Sequence, residues 1–133
     1  LPLGKQLTVK TAFLSLLFND ILYVMDSEPE LGRGYADLTM IIRPDIRRFE
    51  LLDVLLEFKY LSLDALGLTG EEVREMSRDE LRSLPAVDEK LAEARVRLTK
   101  YRPVLEAKYG DALRLHTYAV VSLGFERLVW KEV

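Results

Sequence analysis

The segment LLEFKY, residues 55–60, places two charged side chains inside an apolar run that is typical of a buried strand. Moving a carboxylate or an ammonium from water into a protein interior costs several kcal/mol unless a partner compensates it. Side chains two apart in a strand share a face, so Glu57 and Lys59 are expected side by side on the face that also carries Asp53. The opposite face would carry Val54, Leu56, Phe58 and Tyr60. The fold must therefore bring compensating charges, or a ligand, to one face of this strand.

Length and composition are those of one globular domain. The chain has 133 residues, of which 49% are hydrophobic and 31% charged, and a chain of this length can bury one core. The absence of cysteine excludes disulfides and thiolate metal sites and favours a cytoplasmic location. No apolar run is long enough for a spanning helix, so no membrane partner is expected. The chain begins LPLGKQ, without an initiator Met or a signal pattern, which favours an excised domain of a longer protein.

The first half of the chain predicts a helix followed by two strands. Residues 8–25 carry apolar side chains at helical spacing and predict one amphipathic helix. The turn-rich segment DSEPELGRG then leads into a predicted strand at 35–43, which Pro44 ends. The segment 50–60 is nearly all apolar and predicts a strand near the centre of the sheet.

The second half predicts helices and a terminal hairpin. Thr69 with Glu72, and Ser77 with Glu80, have the spacing of capping boxes and predict short helices at 69–76 and 77–84. A longer helix is predicted from residue 86, with one apolar stripe formed by Leu91, Ala94, Leu98, Tyr101 and Leu105. Gly110 ends it, and residues 113–123 and 125–133 predict a hairpin that turns at Gly124.

The connection between strands 35–43 and 50–60 suggests a register. In a simple hairpin centred near Arg47, paired positions sum to 94, which sets Asp37 opposite Glu57. Directly opposed residues have Cβ atoms about 4.5–5.5 Å apart, so two carboxylates there repel each other unless they share a proton or a cation. A divalent metal ion is the simplest such cation.

Two carboxylates and a nearby lysine suit phosphate chemistry. Mg²⁺ is held by one or two carboxylates and takes further ligands from water and phosphate, and Mn²⁺ accepts the same oxygen ligands. Such an ion polarises a phosphoryl oxygen and activates a water, while a lysine orients that water or stabilises the developing charge. The sequence thus predicts Asp37 and Glu57 as metal ligands and Lys59 as the catalytic lysine, with Glu28 completing or flanking the metal shell.

GRGYADLTMII followed by LLEFKY resembles the core of the PD-(D/E)XK nuclease superfamily, whose signature is an Asp on one strand and Glu-x-Lys on the next. More narrowly, SEPELGRGYADL, LLEFKYL, LAEARVRLTKY and YAVVSLGFERLVW are similar to the nuclease-like domain at the C-terminus of AAA-ATPase-like proteins. The resemblance runs from about residue 12 to the end of the chain. It implies an α/β, restriction-endonuclease-like core, with a mixed central sheet flanked by helices in the order αβββαββ.

The resemblance assigns Asp37 and Glu57 to the metal ligands, Lys59 to the catalytic lysine and Glu28 to the upstream acid. The family often places a Gln six residues before a Tyr on the following helix; Tyr101 is kept, but Arg95 stands at the Gln position. Arg95 could contact phosphate at the edge of the site, or form a salt bridge with Glu57 or Glu28. A second departure is Ala36, which stands where a Pro is expected.

Residues 61–88 are longer than a minimal core requires and predict a helical insertion that could cover or gate the site. A basic cluster lies on the long predicted helix and could form either a solvated face or a phosphate track: Lys90, Arg95, Arg97, Lys100 and Arg102.

Two functions remain open from the sequence. The first is a metal-dependent nuclease that cleaves nucleic acid, with DNA ahead of RNA. The second is a catalytically silent module of the same fold, in which the charged residues form an internal ion network and the domain serves an ATPase domain of the same polypeptide. The net charge of −3 mildly favours the second, because nonspecific nucleic-acid binders usually carry a basic excess. Retention of all three motif residues favours the first. Whether a homodimer forms also stays open.

Overall fold

A five-stranded mixed sheet is the centre of the computed structural model, which describes residues 23–27, 30–31, 34–35, 38–44 and 53–133. The strand bounds are β1 (Tyr23–Ser27), β2 (Glu30–Leu31), β3 (Gly34–Tyr35), β4 (Leu38–Ile42), β5 (Asp53–Leu61), β6 (Leu115–Leu123) and β7 (Arg127–Glu132). The main sheet has the spatial order β1, β4, β5, β6, β7, so β5 is its central strand. The short strands β2 and β3 form a separate antiparallel ribbon.

The strands pair in both directions. β4 is antiparallel to β1 and to β5, β5 is parallel to β6, and β6 is antiparallel to β7. Parallel neighbours need a long crossover connection, and four helices lie in the one between β5 and β6: α1 (Leu63–Leu66), α2 (Gly70–Glu75), α3 (Arg78–Ser83) and α4 (Pro85–Tyr109). The predicted α/β class and mixed sheet are therefore confirmed.

The short helices begin where the capping residues predict. The Thr69 hydroxyl accepts from Glu72 N and the Glu72 carboxylate accepts from Thr69 N, which completes the capping box of α2. The Ser77 hydroxyl accepts from Glu80 N at the start of α3. At the other end of α2, the Arg127 guanidinium donates to the carbonyls of Val73, Arg74 and Met76. The short helices predicted at 69–76 and 77–84 are thus confirmed. Arg127 fastens α2 to β7.

The long helix α4 packs its predicted apolar stripe onto the sheet. All five stripe residues are buried in one cluster with the inward side chains of β5 and β6. Pro85 occupies the first turn, where a missing N–H is harmless, and Gly110 ends the helix at a φ of 68°. The helix continues through Pro103.

Alternate side chains of β5 lie on opposite faces of the sheet, as predicted from the sequence. Leu55 and Leu61 join the cluster under α4, whereas Leu56 and Phe58 join a second cluster on the other face. Glu57 therefore points toward α4.

The predicted register between β4 and β5 is confirmed at three pairs. The pairs are Leu38 with Leu56, Thr39 with Leu55, and Met40 with Val54, and each sums to 94. Asp37, the residue for which the register was predicted, lies outside the described residues.

The predicted helix at 8–25 is wrong at its end, and residues 8–22 lie outside the described residues. Tyr23–Ser27 form β1, which pairs with β4 along its whole length. A short apolar run suits a helix or a strand equally well, and the hydrogen-bonding edge of β4 decides between them. The strand predicted at 35–43 is also divided, because Gly34–Tyr35 belong to the small ribbon and Leu38–Ile42 to the main sheet.

Asp53 is a second buried acid on β5, and its carboxylate is used by the backbone. It is fully buried, and it accepts from Ile42 N at 2.6 Å and from Arg114 N at 2.9 Å. These bonds tie the end of β4 and the start of β6 to the first residue of β5. Asp53 is thus a structural residue that shares a face with Glu57.

We expect Asp53→Ala to lower the free energy of unfolding by about 1–3 kcal/mol for each amide that loses its acceptor. Asp53→Asn should lower it less, because the side-chain amide retains one acceptor oxygen. Urea unfolding measures both, with the exposed Asp111→Ala as the control. Equal stability of Asp53→Ala and Asp111→Ala would contradict this role.

Candidate functional site

A fully buried carboxylate is the centre of the candidate site. Glu57 lies on the central strand with no solvent exposure. Its partner in the parallel register is Ala119 of β6, and Lys59, two residues later, pairs with Val121. Ala119 and Val121 carry no charge, so β6 does not supply the compensating charge, and among the described elements another one does.

That charge comes from helix α4. Arg97 Nε lies 3.4 Å from Glu57 Oε1, and 43% of the arginine side chain is exposed. Arg97 Nη2 also donates to the hydroxyl of Tyr101 at 3.1 Å. Tyr101 is itself buried in the core, so a fixed phenol holds one side of the guanidinium while another of its nitrogens faces Glu57.

Lys59 forms the second part of the site. Its Nζ lies 3.9 Å from Glu93 Oε2, and the side chain is 17% exposed. The same oxygen of Glu93 lies 3.2 Å from Lys90 Nζ. Glu93 of α4 therefore faces two ammonium groups, one from Lys90 on the same helix and one from Lys59 on β5. At 3.9 Å the contact with Lys59 is an ion pair rather than a hydrogen bond.

Helical spacing explains why these partners meet β5. Lys90, Glu93 and Arg97 are three and four residues apart, so they share one flank of α4. The buried stripe of the helix fixes its rotation, and this flank consequently lies above Glu57 and Lys59. The site thus depends on the apolar packing of α4.

The predicted site residues are only partly brought together within the described structure. Glu57 and Lys59 share the face under α4, and Tyr101 reaches Glu57 through Arg97. Asp37 and Glu28 lie outside the described residues, so their predicted roles as metal ligands remain predictions.

Arg95 occupies the opposite flank of α4. It lies on the rim of two adjoining cavities of about 480 and 380 Å³, between α4 and the end of β7. Arg95 makes no ion pair within the described part of the chain, and the predicted salt bridge to Glu57 comes instead from Arg97. A phosphate contact by Arg95 remains a prediction.

Arg97 is the site residue that the sequence did not single out. It was one member of the basic cluster on the long helix, and its neighbour Arg95 matched the family position. Its spacing of four residues before Tyr101 and four after Glu93 was the available signal. That spacing identifies Arg97 as the partner of Glu57 only when the side of α4 that faces β5 is known.

The described residues do not form a complete metal site. Among them, no three acidic or histidine side chains are grouped so that they could hold an ion. Glu57 supplies one hard oxygen donor, the ligand type that Mg²⁺ and Mn²⁺ prefer. The other two predicted donors are the acids outside the described residues.

Comparison of the chain with protein-family models, with curated protein sequences and with solved structures gave no match. Within the described ranges, no helix combines the length and apolar character needed to cross a membrane.

We expect Arg97→Gln to lower the free energy of unfolding by about 1–3 kcal/mol in chelator-treated buffer. The change removes a cation from a buried carboxylate; it should cost less than the 3–5 kcal/mol typical of a fully buried pair, because Arg97 is partly exposed. Arg95→Gln is the matched control, with the same charge change two residues away, and should stay within about 0.5 kcal/mol of wild type.

A double-mutant cycle with Glu57→Gln completes this test by urea unfolding. The loss caused by Arg97→Gln should shrink when Glu57 is already neutral. Equal losses for Arg95→Gln and Arg97→Gln would contradict the assigned pairing.

Proposed function

We propose that this chain is a divalent-metal-dependent nuclease domain of the PD-(D/E)XK superfamily, with a restriction-endonuclease-like core. The observation that carries the proposal is the position of Glu57, a fully buried carboxylate on the central strand, two residues before a lysine on the same face. Burying a carboxylate in a sheet costs free energy that packing alone does not recover. A role in binding or catalysis would explain why a carboxylate is buried here.

The register of the sheet supports the second metal ligand. The described pairs between β4 and β5 sum to 94, and if the same sum held one residue further, position 37 would stand opposite Glu57. Asp37 at that position would give two carboxylates within reach of one ion. Glu28, upstream of the small ribbon in sequence, is the proposed third acid.

Each residue then has a chemical task. Asp37, Glu57 and Glu28 would hold Mg²⁺ or Mn²⁺, which when bound polarises a phosphoryl oxygen and activates water. Lys59 presents an ammonium beside Glu57 that can orient the attacking water or stabilise charge on the phosphate. Glu93 limits the positions of that ammonium through its ion pair. Together these groups suit hydrolysis of a phosphodiester.

The proposed substrate is nucleic acid, with DNA ahead of RNA. The absence of cysteine favours a cytoplasmic location, and the family resemblance implies an AAA-type ATPase domain in the same polypeptide; both belong to the same proposal. A homodimer would supply a second site for cleavage of both strands of a duplex.

A catalytically silent module on the same fold is the second candidate. Two observations favour it: Arg97 faces Glu57, and Lys59 faces Glu93. In this arrangement the charges compensate one another as an internal ion network, and the domain would bind or regulate the ATPase domain. Isothermal titration calorimetry with Mg²⁺ and Mn²⁺ separates the two, because the network alone needs no metal.

We expect Lys59→Ala to abolish metal-dependent cleavage of single-stranded, double-stranded or branched DNA while the fold is retained. The substitution removes the ammonium and leaves the proposed metal ligands in place, so metal binding should persist. Lys108→Ala, on the exposed last turn of α4, is the matched control and should cut like wild type.

A gel assay with Mg²⁺ or Mn²⁺ compares the three proteins, and circular dichroism verifies their folding. Cleavage by Lys59→Ala at the wild-type rate would end the catalytic assignment. Metal binding without cleavage in wild type would favour the silent module.

We expect Asp37→Asn to weaken Mg²⁺ binding at least tenfold, because one charged ligand becomes a neutral amide. In chelator-treated buffer the same change should raise the melting temperature by about 2–5 °C, because it relieves repulsion between the two opposed carboxylates. Calorimetry and thermal unfolding measure the two effects. An unchanged metal affinity together with a lower melting temperature would assign Asp37 a structural role instead.

A further inference from the structure

A groove runs between α4 and the end of β7, on the flank of the helix opposite to Glu93. It consists of two adjoining cavities of about 480 and 380 Å³, which share Arg95 and Val133 in their linings. Cavities of this size are typical of small-molecule sites. Neither Glu57 nor Lys59 lines the groove, so it is separate from the candidate site described above.

The floor of the groove is apolar. It is formed by Leu91 and Leu98 of α4 and by Ala119 of β6, all of which are buried. The short side chain of Ala119 leaves room above the sheet between α4 and β7. An organic ring placed on this floor would remove apolar surface from water.

Two cations from different elements line the larger cavity. Arg95 comes from α4, whereas Lys131 comes from β7 and pairs with Ala119, so its side chain shares the face under the helix. Both residues are exposed. Within the described part of the chain, neither side chain forms an ion pair. An anion in this cavity would be attracted by two charges that no acid neutralises.

Arg102 extends the groove through the smaller cavity. Its guanidinium donates to Glu106 Oε1 at 2.8 Å and to the carbonyl of Leu115 at 3.1 Å. Glu106 offsets its charge, so Arg102 contributes more to the shape of the groove than to its potential. Arg95 and Lys131 remain as the pair that can hold an anion.

Two acids line the larger cavity, and their environments differ. Glu132 follows Lys131 in β7, so its side chain points to the opposite face, where its Oε1 lies 2.5 Å from His116 Nδ1. Asp88, in the first turn of α4, forms no ion pair with any residue that the structure describes. Its carboxylate disfavours a bare anion and offers an acceptor to hydroxyl or amino groups, which sugars and bases carry.

We propose that this groove binds a nucleoside monophosphate unit, either as a free nucleotide or as the phosphorylated end of a nucleic-acid strand. The phosphate lies between Arg95, whose fork of donors matches its oxygens, and the point charge of Lys131. The base or sugar covers the apolar floor, and Asp88 accepts from one of its hydroxyl or amino groups. The site requires no metal ion and does not depend on the proposed nuclease reaction.

Calorimetry in low-salt buffer with a chelator compares adenosine monophosphate (AMP), adenosine and inorganic phosphate. AMP should bind the wild-type protein at least about tenfold more tightly than either of the others, because only AMP uses both the cations and the floor. Arg95→Gln and Lys131→Gln should each weaken AMP binding about tenfold, which is the loss of one charge-assisted hydrogen bond. The charge-matched control Lys108→Gln, in the last turn of α4, should change it less than twofold.

Asp88→Ala separates a nucleotide site from a simple anion site. The substitution removes both a negative charge and an acceptor, so it should lower the preference for AMP over inorganic phosphate about fivefold. A preference that stays unchanged or rises would overturn the role of Asp88.

Nuclear magnetic resonance locates the bound nucleotide. AMP should shift the backbone amide signals of Ala92, Arg95 and Lys131 and leave those of Lys59 and Glu93 in place. A short single-stranded oligonucleotide with a terminal phosphate, compared with the same strand without it, identifies the source of the ligand. Tighter binding of the phosphorylated strand would support a strand end, and binding of AMP alone would support a free nucleotide.

Four results would each overturn the proposal. They are the absence of AMP binding at millimolar concentration, equal affinities for AMP and adenosine, equal losses for Arg95→Gln and Lys108→Gln, and amide shifts confined to the flank that carries Glu93. Because all samples are free of metal, failure of the nuclease proposal would leave these measurements unchanged.

Discussion

A carboxylate without solvent exposure on the central strand is the constraint that organises this fold. Glu57 cannot keep its charge in that position unless a cation is brought to it, and its partner on β6 is Ala119, which carries no charge. The cation comes from α4, so the rotation of that helix is tied to the acid as well as to the core. The apolar stripe buries one side of α4, and the flank beside the stripe carries Arg97 and Glu93 to Glu57 and Lys59. Packing and charge compensation thus favour the same placement of the helix.

Asp53 and Glu57 illustrate how two acids on one strand acquire different roles. Asp53 is the first residue of β5, and its carboxylate accepts hydrogen bonds from two backbone amides. These bonds link the end of β4 and the start of β6 to β5. Glu57 stands four residues later and faces the Arg97 guanidinium of α4, which the Tyr101 hydroxyl also holds. An acid held by amides is committed to structure. Glu57 instead faces a partly exposed guanidinium and receives no described backbone amide, and the proposed site depends on this difference.

Local rules predicted much of the fold. The caps at Thr69 and Ser77, the stripe of α4 and the faces of β5 depend on residues close in sequence, and the hairpin register followed from loop symmetry about Arg47. The strand at Tyr23–Ser27 could not be predicted in this way, because its apolar residues suit a helix or a strand. Backbone pairing with β4, which is distant in sequence, selects the strand. Likewise, Arg95 and Arg97 look alike in the sequence. The choice of Arg97 as the partner of Glu57 depends on how α4 crosses the parallel pair of β5 and β6, which is a long-range property.

The measurement that tests the central claim most directly is anomalous X-ray diffraction from crystals grown with Mn²⁺. The proposed function predicts an anomalous peak within coordinating distance of a Glu57 carboxylate oxygen. A map without such a peak at saturating Mn²⁺ would contradict the metal site and favour an internal ion network in a silent domain.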